Sequence, residues 1–174
     1  SDEQVNSLLY SSEGWFSAVY LNLRTLSECG ALPDRNSDIY TMFTAAMIDP
    51  LSEKQREFLA VMGLADEFTV EMAYYVTENE EAEQLLAVLT AQNAFVKCLP
   101  DGVTYRFHHM MKACAERTFL TLAPAKQQNY RERFGLWYED NRQYLHAMAA
   151  YRKSGNYGAL LRIIQKDAGI LLSS

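Results

Sequence analysis

The chain has 174 residues, of which 49% are hydrophobic and 22% are charged, with a formal net charge of −6. This composition is typical of a soluble globular protein, and the longest uncharged apolar run, residues 39–48, is too short to span a bilayer. Residues 1–104 hold 5 Lys and Arg against 17 Asp and Glu, whereas residues 105–174 hold 11 against 5. The overall acidity argues against a general nucleic-acid binder, and the opposite signs favour two modules that meet each other or different partners.

Cysteine usage and the first residues predict a cytoplasmic location. Cys29, Cys98 and Cys114 form no CxxC or CxxH pair, so we expect buried thiols in a reducing compartment rather than disulfides or a zinc site. The first six residues are acidic and polar, unlike a secretory leader. Because the chain lacks an initiator Met, we also expect a processed or excised fragment.

The first half of the chain predicts short helices. One covers residues 11–26, and a second covers the apolar run 39–48. Ser52 and Gln55 have the spacing of a capping box, which opens a third helix. A fourth helix is predicted over residues 69–76.

Asn79 is predicted to cap the next helix, over residues 80–92. Glu80, Glu81 and Glu83 lie in its first turn, where the helix dipole favours negative charge. Residues 94–99 and 103–107 then flank the turn Pro100-Asp101-Gly102, which predicts a β-hairpin. Three helices followed by a hairpin is the order of a winged-helix domain.

After Pro124 the pattern predicts helices alone, at about residues 126–140, 142–153 and 156–166. They carry the apolar and aromatic residues Tyr130, Phe134, Trp137, Tyr138, Leu145, Tyr151, Leu160 and Leu161. This order is typical of the opening of a helical-hairpin array. The fold class is therefore predicted to be mainly α, with one small hairpin. Residues predicted to be buried are Trp15, Phe58, Leu59, Leu85, Leu89 and Phe119.

Two of the three histidines are adjacent, at the end of the hairpin. His108 continues the apolar stripe of Met111 and Phe119 backwards along the following helix, whereas His109 shares a face with Lys112. We therefore expect His108 to point into the fold or a cleft at its edge, and His109 to point to solvent.

His108 is also predicted to lie near a helix N-terminus, where backbone N–H groups and the dipole favour an anion. A histidine there can donate to a phosphate oxygen when its other nitrogen is satisfied elsewhere. The alternative is a core histidine bonded to a backbone carbonyl.

Four segments occur in an order that resembles one family: SEGWFSAVYLNLRTL, PLSEKQREFLAVMGLADEFTVEMA, LLAVLTAQNAFV and YRFHHMMKACAERTFL. They are similar to the part that follows the nucleotide-binding core in the large LuxR-type transcription regulators related to the maltose-system activator. Those regulators belong to the STAND class of signal-transducing ATPases. The resemblance covers most of residues 8–165.

The resemblance implies three regions: a helical lid segment at 1–48, a winged-helix domain at 49–122, and the first helices of a helical-repeat sensor array at 123–174. The partners it implies are the upstream nucleotide-binding domain and the downstream helical repeats of the same chain, with ATP or ADP bound by the longer protein. The resemblance also places DNA binding in a separate domain, and it does not imply the identity of the inducer.

The resemblance also implies the site residues. The lid motif of the family falls on Gly14-Trp15-Phe16, beside the adenine, with Phe16 where the family has Pro. The winged-helix histidine of the family falls on His108. In related proteins that histidine contacts the β-phosphate of ADP and holds the closed state, so His108 is the candidate sensor and His109 a surface residue.

Several activities lack the motifs that they need. No GxxxxGK[ST] loop and no Asp-ended apolar strand for magnesium occur, so we expect no ATP hydrolysis and no cofactor in this chain by itself. No motif identifies a Ser or Cys as a catalytic nucleophile, so an isolated enzyme is the least favoured of the functions considered. A winged helix that reads DNA directly is also disfavoured, because residues 80–92 carry three Glu and no Lys or Arg. A helical protein-interaction adaptor is the remaining alternative.

Overall fold

A computed structural model describes residues 39–91 and 95–173. These residues are mainly helical with a small three-stranded antiparallel sheet, which confirms the predicted fold class. No helix in these two ranges is both long and apolar enough to cross a membrane. The elements, in chain order, are α1 (Ile39–Met47), α2 (Glu53–Met62), β1 (Phe68–Thr69), α3 (Val70–Thr77), α4 (Ala82–Ala91), β2 (Val96–Cys98), β3 (Thr104–Phe107), α5 (His109–Phe119), α6 (Pro124–Asp140), α7 (Tyr144–Ser154) and α8 (Tyr157–Ser173).

Helix α2 begins at the predicted capping box. The Ser52 side chain accepts a hydrogen bond from the Gln55 backbone N–H, and the Gln55 side chain accepts one from the Ser52 backbone N–H. The two bonds satisfy donors that the first turn of a helix leaves without an intrahelical partner. The predicted helix start is therefore confirmed.

Helix α4 begins after Asn79, whose side chain is buried and accepts a hydrogen bond from the Glu81 backbone N–H at 2.9 Å. The Asn79 carbonyl accepts from the Ala82 N–H, which starts the helical pattern. Asn79 therefore caps the turn that leads into α4, and the helix itself begins at Ala82, later than the predicted start at residue 80.

The sheet has the order β1-β3-β2, with both pairs antiparallel. Val96 pairs with Phe107, and Cys98 pairs with Tyr105. The Asp101 side chain accepts hydrogen bonds from the backbone N–H groups of Val103 and Thr104, which stabilises the turn between β2 and β3. The predicted hairpin is confirmed, and β1 is a third strand that was not predicted.

The described chain forms two compact units, and neither is continuous in sequence. The first contains the described residues up to Val70 together with Asn79–Phe119, and the second contains Glu71–Glu78 and the residues from Leu120 onward. Helix α3 therefore groups with the C-terminal helices, although it lies between β1 and α4 in sequence.

In the first unit, α1 and α2 pack on α5. Gly63, at the end of α2, lies so close to α5 that a Cβ atom there would come within 2.4 Å of the Ala115 Cβ. Glycine at this position lets the two helices approach closely. The predicted buried residues in this unit are all confirmed, namely Phe58, Leu59, Leu85, Leu89 and Phe119, whereas Trp15 lies outside the described residues.

In the second unit, α7 packs against both α6 and α8. The Tyr151 ring fills the space beside Gly135, where a Cβ would lie 2.5–2.9 Å from ring atoms. Tyr151 belongs to an apolar cluster with Ala147, Ala159 and Ile163.

Glu139 connects the three helices of this cluster. Its carboxylate accepts from the Tyr151 hydroxyl at 2.8 Å, from Arg162 at 2.7 Å and from Lys166 at 3.3 Å. Burial raises the pKa of Glu139, but the hydrogen bonds from these three donors lower it by more, so the net pKa lies below its ordinary 4.5. Glu139 is thus an ionised anchor at the edge of the cluster.

The C-terminal end of α3 is held by α6. Arg133 donates to the Val76 carbonyl at 3.4 Å and to the Glu78 carboxylate at 2.9 Å. A cation at the end of a helix interacts favourably with its dipole. The rings of Tyr75 and Trp137 also lie in contact, with their centroids 5.4 Å apart.

Candidate functional site

The candidate site lies where β3 gives way to α5. The antiparallel register that pairs Val96 with Phe107 places Phe95 opposite His108, one step beyond the strands. The His108 N–H donates to the Phe95 carbonyl at 2.8 Å, which extends the ladder by one bond. The chain then turns into α5 at His109.

His108 is the N-cap residue of α5. Its carbonyl accepts from the Lys112 N–H at 2.9 Å, which is the first hydrogen bond of the helix. Its imidazole Nδ1 accepts from the Met110 N–H at 3.3 Å. The ring therefore does what the side chain of Ser, Thr, Asn or Asp more often does at this position.

The surroundings of the imidazole favour its neutral form. The His108 side chain is half-buried and its ring lies 5.5 Å from that of Phe95. Burial lowers the pKa of His108 below its ordinary 6.5, and the neighbouring His109, whose ring centroid is 3.9 Å away, lowers the pKa further. His109 itself is exposed. The two histidines therefore occupy the different environments that the helical spacing predicts.

The capping bond also decides which nitrogen carries the proton. A neutral imidazole has one donor nitrogen and one acceptor nitrogen. Because Nδ1 accepts from the Met110 N–H, the proton lies on Nε2. The neutral form of the ring, which predominates near pH 7, thus carries its N–H on Nε2.

We expect NMR of the imidazole nitrogens to find His108 as the Nε2–H tautomer, and to find that it takes up a proton only below pH 6.5. The unfolded chain then binds this proton first, so the free energy of unfolding falls as the pH drops below 6.5. His108→Asn keeps a capping acceptor without the titrating ring and should lose less stability over that range. An Nδ1–H tautomer would contradict the capping geometry.

Lys112, one turn along α5, is engaged elsewhere. Its ammonium donates to the Gly63 carbonyl at 2.8 Å and to the Ala65 carbonyl at 3.3 Å. It also lies 3.3 Å from the Asp66 carboxylate. These contacts tie α5 to the end of α2 and make Lys112 a structural residue rather than a second group of the site.

The other predicted site residues, Gly14 and Trp15, lie outside the described residues, as does Phe16. Among residues 39–91 and 95–173, no cluster of His, Cys, Asp and Glu could hold a metal ion. Within the described chain, the candidate site therefore consists of His108 and its immediate neighbours.

Comparison with known families supports the winged-helix interpretation. Residues 44–127 match the model of the MalT winged helix domain. The chain contains a MalT-like winged-helix region. No curated protein matches the chain at a significant level. The matched residues include His108 and the hairpin that precedes it.

In this MalT-like winged-helix region, α4 is the helix immediately before the hairpin. Its sequence from Ala82 to Ala91 has no Lys or Arg, and Glu80, Glu81 and Glu83 are exposed at its start. A winged helix that reads DNA normally presents positive charge along its recognition helix. The surface of α4 has the opposite character.

Two contacts were not predicted: that of Phe95 with His108, and that of Lys112 with the end of α2. The role of Lys112 depends on the Gly63 carbonyl, 49 residues away, so local spacing does not reveal it. Phe95 carries an indirect signal, because the register set by the Asp101-Gly102 turn pairs residue 95 with residue 108.

Proposed function

We propose that this chain is a regulatory part of a LuxR-type STAND transcription regulator, in which it couples nucleotide and inducer state to DNA binding by a separate domain. The MalT-like winged-helix region supports a regulator. The helices α6, α7 and α8 are suited to begin a helical-repeat array. The partners in this proposal are an upstream nucleotide-binding domain and further repeats of the same protein, in the cytoplasm.

The observation that carries the proposal is the state of His108. Its Nδ1 accepts from the Met110 N–H, and burial lowers its pKa, so the neutral ring carries its proton on Nε2 at the start of α5. This fits a phosphate oxygen of ADP, which a neutral donor and a helix N-terminus both favour. Gly14 and Trp15 would contact the adenine side, as the family resemblance implies.

The nucleotide would supply negative charge that bridges two domains, and His108 would hold the closed, inactive arrangement. A hydrogen bond to a charged group contributes about 1.5–3 kcal/mol, which corresponds to a shift of roughly 10- to 100-fold in an equilibrium. This chain alone would not hydrolyse ATP, since its sequence has neither a phosphate-binding loop nor a magnesium site.

The test uses the longer regulator with three variants. His108→Ala removes both the cap and the donor, His108→Asn keeps a capping acceptor, and His109→Ala changes the exposed neighbour. We expect His108→Ala and His108→Asn to release ADP roughly 10- to 100-fold faster and to activate transcription with less inducer. His109→Ala should change little. ADP release and reporter output are the two measurements.

A purely structural role for His108 predicts a different pattern. His108→Ala would then lower stability and activity together, while His108→Asn would behave like the unmodified protein because the cap is retained. Equal effects at positions 108 and 109 would also contradict the proposal.

A second candidate is a helical adaptor that binds other proteins. The observation in its favour is an exposed apolar stripe on α8, formed by Tyr157, Leu161 and Ile164 at helical spacing. Changing Leu161 and Ile164 to Ser would abolish function in an adaptor while leaving ADP release unchanged. Direct DNA reading is disfavoured by the acidic surface at the start of α4.

A further inference from the structure

Phe95 combines burial with a backbone conformation that is unusual for a bulky residue. Its φ angle is +64°, and its side chain is 4% exposed. The left-handed region is unfavourable for an L-residue, because the Cβ atom comes too close to the following carbonyl oxygen. Such strain persists only where the surrounding contacts determine the conformation.

Two other rings contact the Phe95 ring. The Phe43 ring meets it edge to face, with centroids 4.8 Å apart, and the His108 ring meets it at 5.5 Å with an interplanar angle of 66°. Edge-to-face aromatic pairs stabilise a fold beyond the effect of the area that they bury. Packing therefore offsets the backbone strain.

The backbone of Phe95 also contacts His108. The Phe95 carbonyl accepts the His108 N–H at 2.8 Å, just before β2 begins at Val96. One residue thus contacts both the backbone and the imidazole of the capping histidine. These two contacts limit the freedom of His108 at the place where β3 ends and α5 begins.

We propose that Phe95 is the positioning residue of His108: its carbonyl fixes the backbone of the histidine, and its ring fixes the imidazole so that Nδ1 faces the Met110 N–H. Part of the burial that keeps His108 neutral comes from the same ring. The consequence for nucleotide binding rests on the proposed function, whereas the positioning of His108 does not.

The test compares two variants of the 174-residue chain. Phe95→Leu removes the ring contact with His108. Phe68→Leu makes the same change at a site that is 2% exposed, where the ring lies 5.4 Å from that of Phe107 and 6.2 Å from that of Tyr105. Both variants lose a buried aromatic ring, so a loss of stability alone does not distinguish them.

NMR of the His108 ring distinguishes the two possibilities, because a purely structural role of Phe95 would leave the pKa and the tautomer of His108 unchanged. In Phe95→Leu we expect the pKa of His108 to rise toward 6.5 and the Nε2–H tautomer to lose its predominance, while Phe68→Leu leaves both unchanged. Unchanged His108 signals in Phe95→Leu would overturn the proposal. If that variant does not fold, a nuclear Overhauser contact between the two rings in the unmodified chain decides the question, and its absence counts against the proposal.

The longer regulator separates this inference from the proposed function. If both hold, Phe95→Leu releases ADP faster, by no more than His108→Ala does, and Phe68→Leu does not. Changed His108 signals together with an unaltered ADP release rate in His108→Ala would support the positioning role and contradict the nucleotide role. Faster ADP release in His108→Ala with unchanged His108 signals in Phe95→Leu would support the nucleotide role and contradict the positioning role.

Discussion

Replacing Leu85 with Ala is expected to lower the free energy of unfolding by about 2–5 kcal/mol. Leu85 lies on the buried face of α4, where it is 7% exposed. Its removal costs the transfer free energy of the lost methyl and methylene groups, plus the cost of the cavity that remains. Urea unfolding followed by circular dichroism measures the change.

Val88 provides the control on the same helix. It is 51% exposed, and Ala is a better helix former than Val, so Val88→Ala should change stability by no more than about 0.5 kcal/mol. Equal effects of Leu85→Ala and Val88→Ala would mean that α4 presents a different face to the core from the one described.

Replacing Tyr151 with Ala should have an effect of similar size in the second unit, about 3–5 kcal/mol. The ring is 1% exposed, lies against Gly135 and fills the cluster between α6, α7 and α8. Tyr151→Phe keeps the ring and removes only the hydroxyl that donates to Glu139 at 2.8 Å. Because that bond is to a charged group, its loss should cost about 1.5–3 kcal/mol.

The exposed residue Tyr157, which is 63% exposed, is the matched control, and Tyr157→Phe should leave stability within about 0.5 kcal/mol. The pH dependence gives a second check. Since the folded pKa of Glu139 lies below 4.5, its contribution is present above that pH and is lost as the pH falls through the folded pKa. Tyr151→Phe should reduce that loss. An unchanged acid transition would show that the hydroxyl does not stabilise the Glu139 carboxylate.

Local features of the winged-helix region could be predicted from the sequence because their signals are local. The capping box of Ser52 and Gln55 and the cap at Asn79 are set by residues within three positions of each other. The hairpin is set by the turn at Asp101-Gly102. The division between His108 and His109 follows from helical geometry, since neighbouring positions differ by about 100°.

Features that depend on distant residues could not be predicted in the same way. β1 has two residues, too few for an alternating pattern, and it forms only because Phe68 and Thr69 meet β3. The apolar pattern of the C-terminal helices also includes Leu145 and Leu161, which are exposed. The helical period of the apolar residues does not show whether a neighbouring element covers the apolar face of the helix.

The candidate site likewise has features that the sequence predicts and features that it does not. That His108 lies near a helix start follows from its neighbours in sequence. That its Nδ1 accepts from the Met110 N–H, and that Phe95 adopts a φ of +64°, are results of packing. The signal for Phe95 was available only through the register of the hairpin, and the strain at that residue has no local signature.

The contacts of Arg133 with the C-terminal end of α3 have a consequence for the order in which native contacts form during synthesis. Val76 and Arg133 are 57 residues apart, so at 5–20 residues per second the partner is made roughly 3–11 s after the helix that it holds. By then β2, β3 and α5 have already been translated. We therefore expect α3 to form its contacts with α6 only after the residues on both sides of α3 have been able to pack together. Native contacts would then form in an order that differs from the order of the sequence.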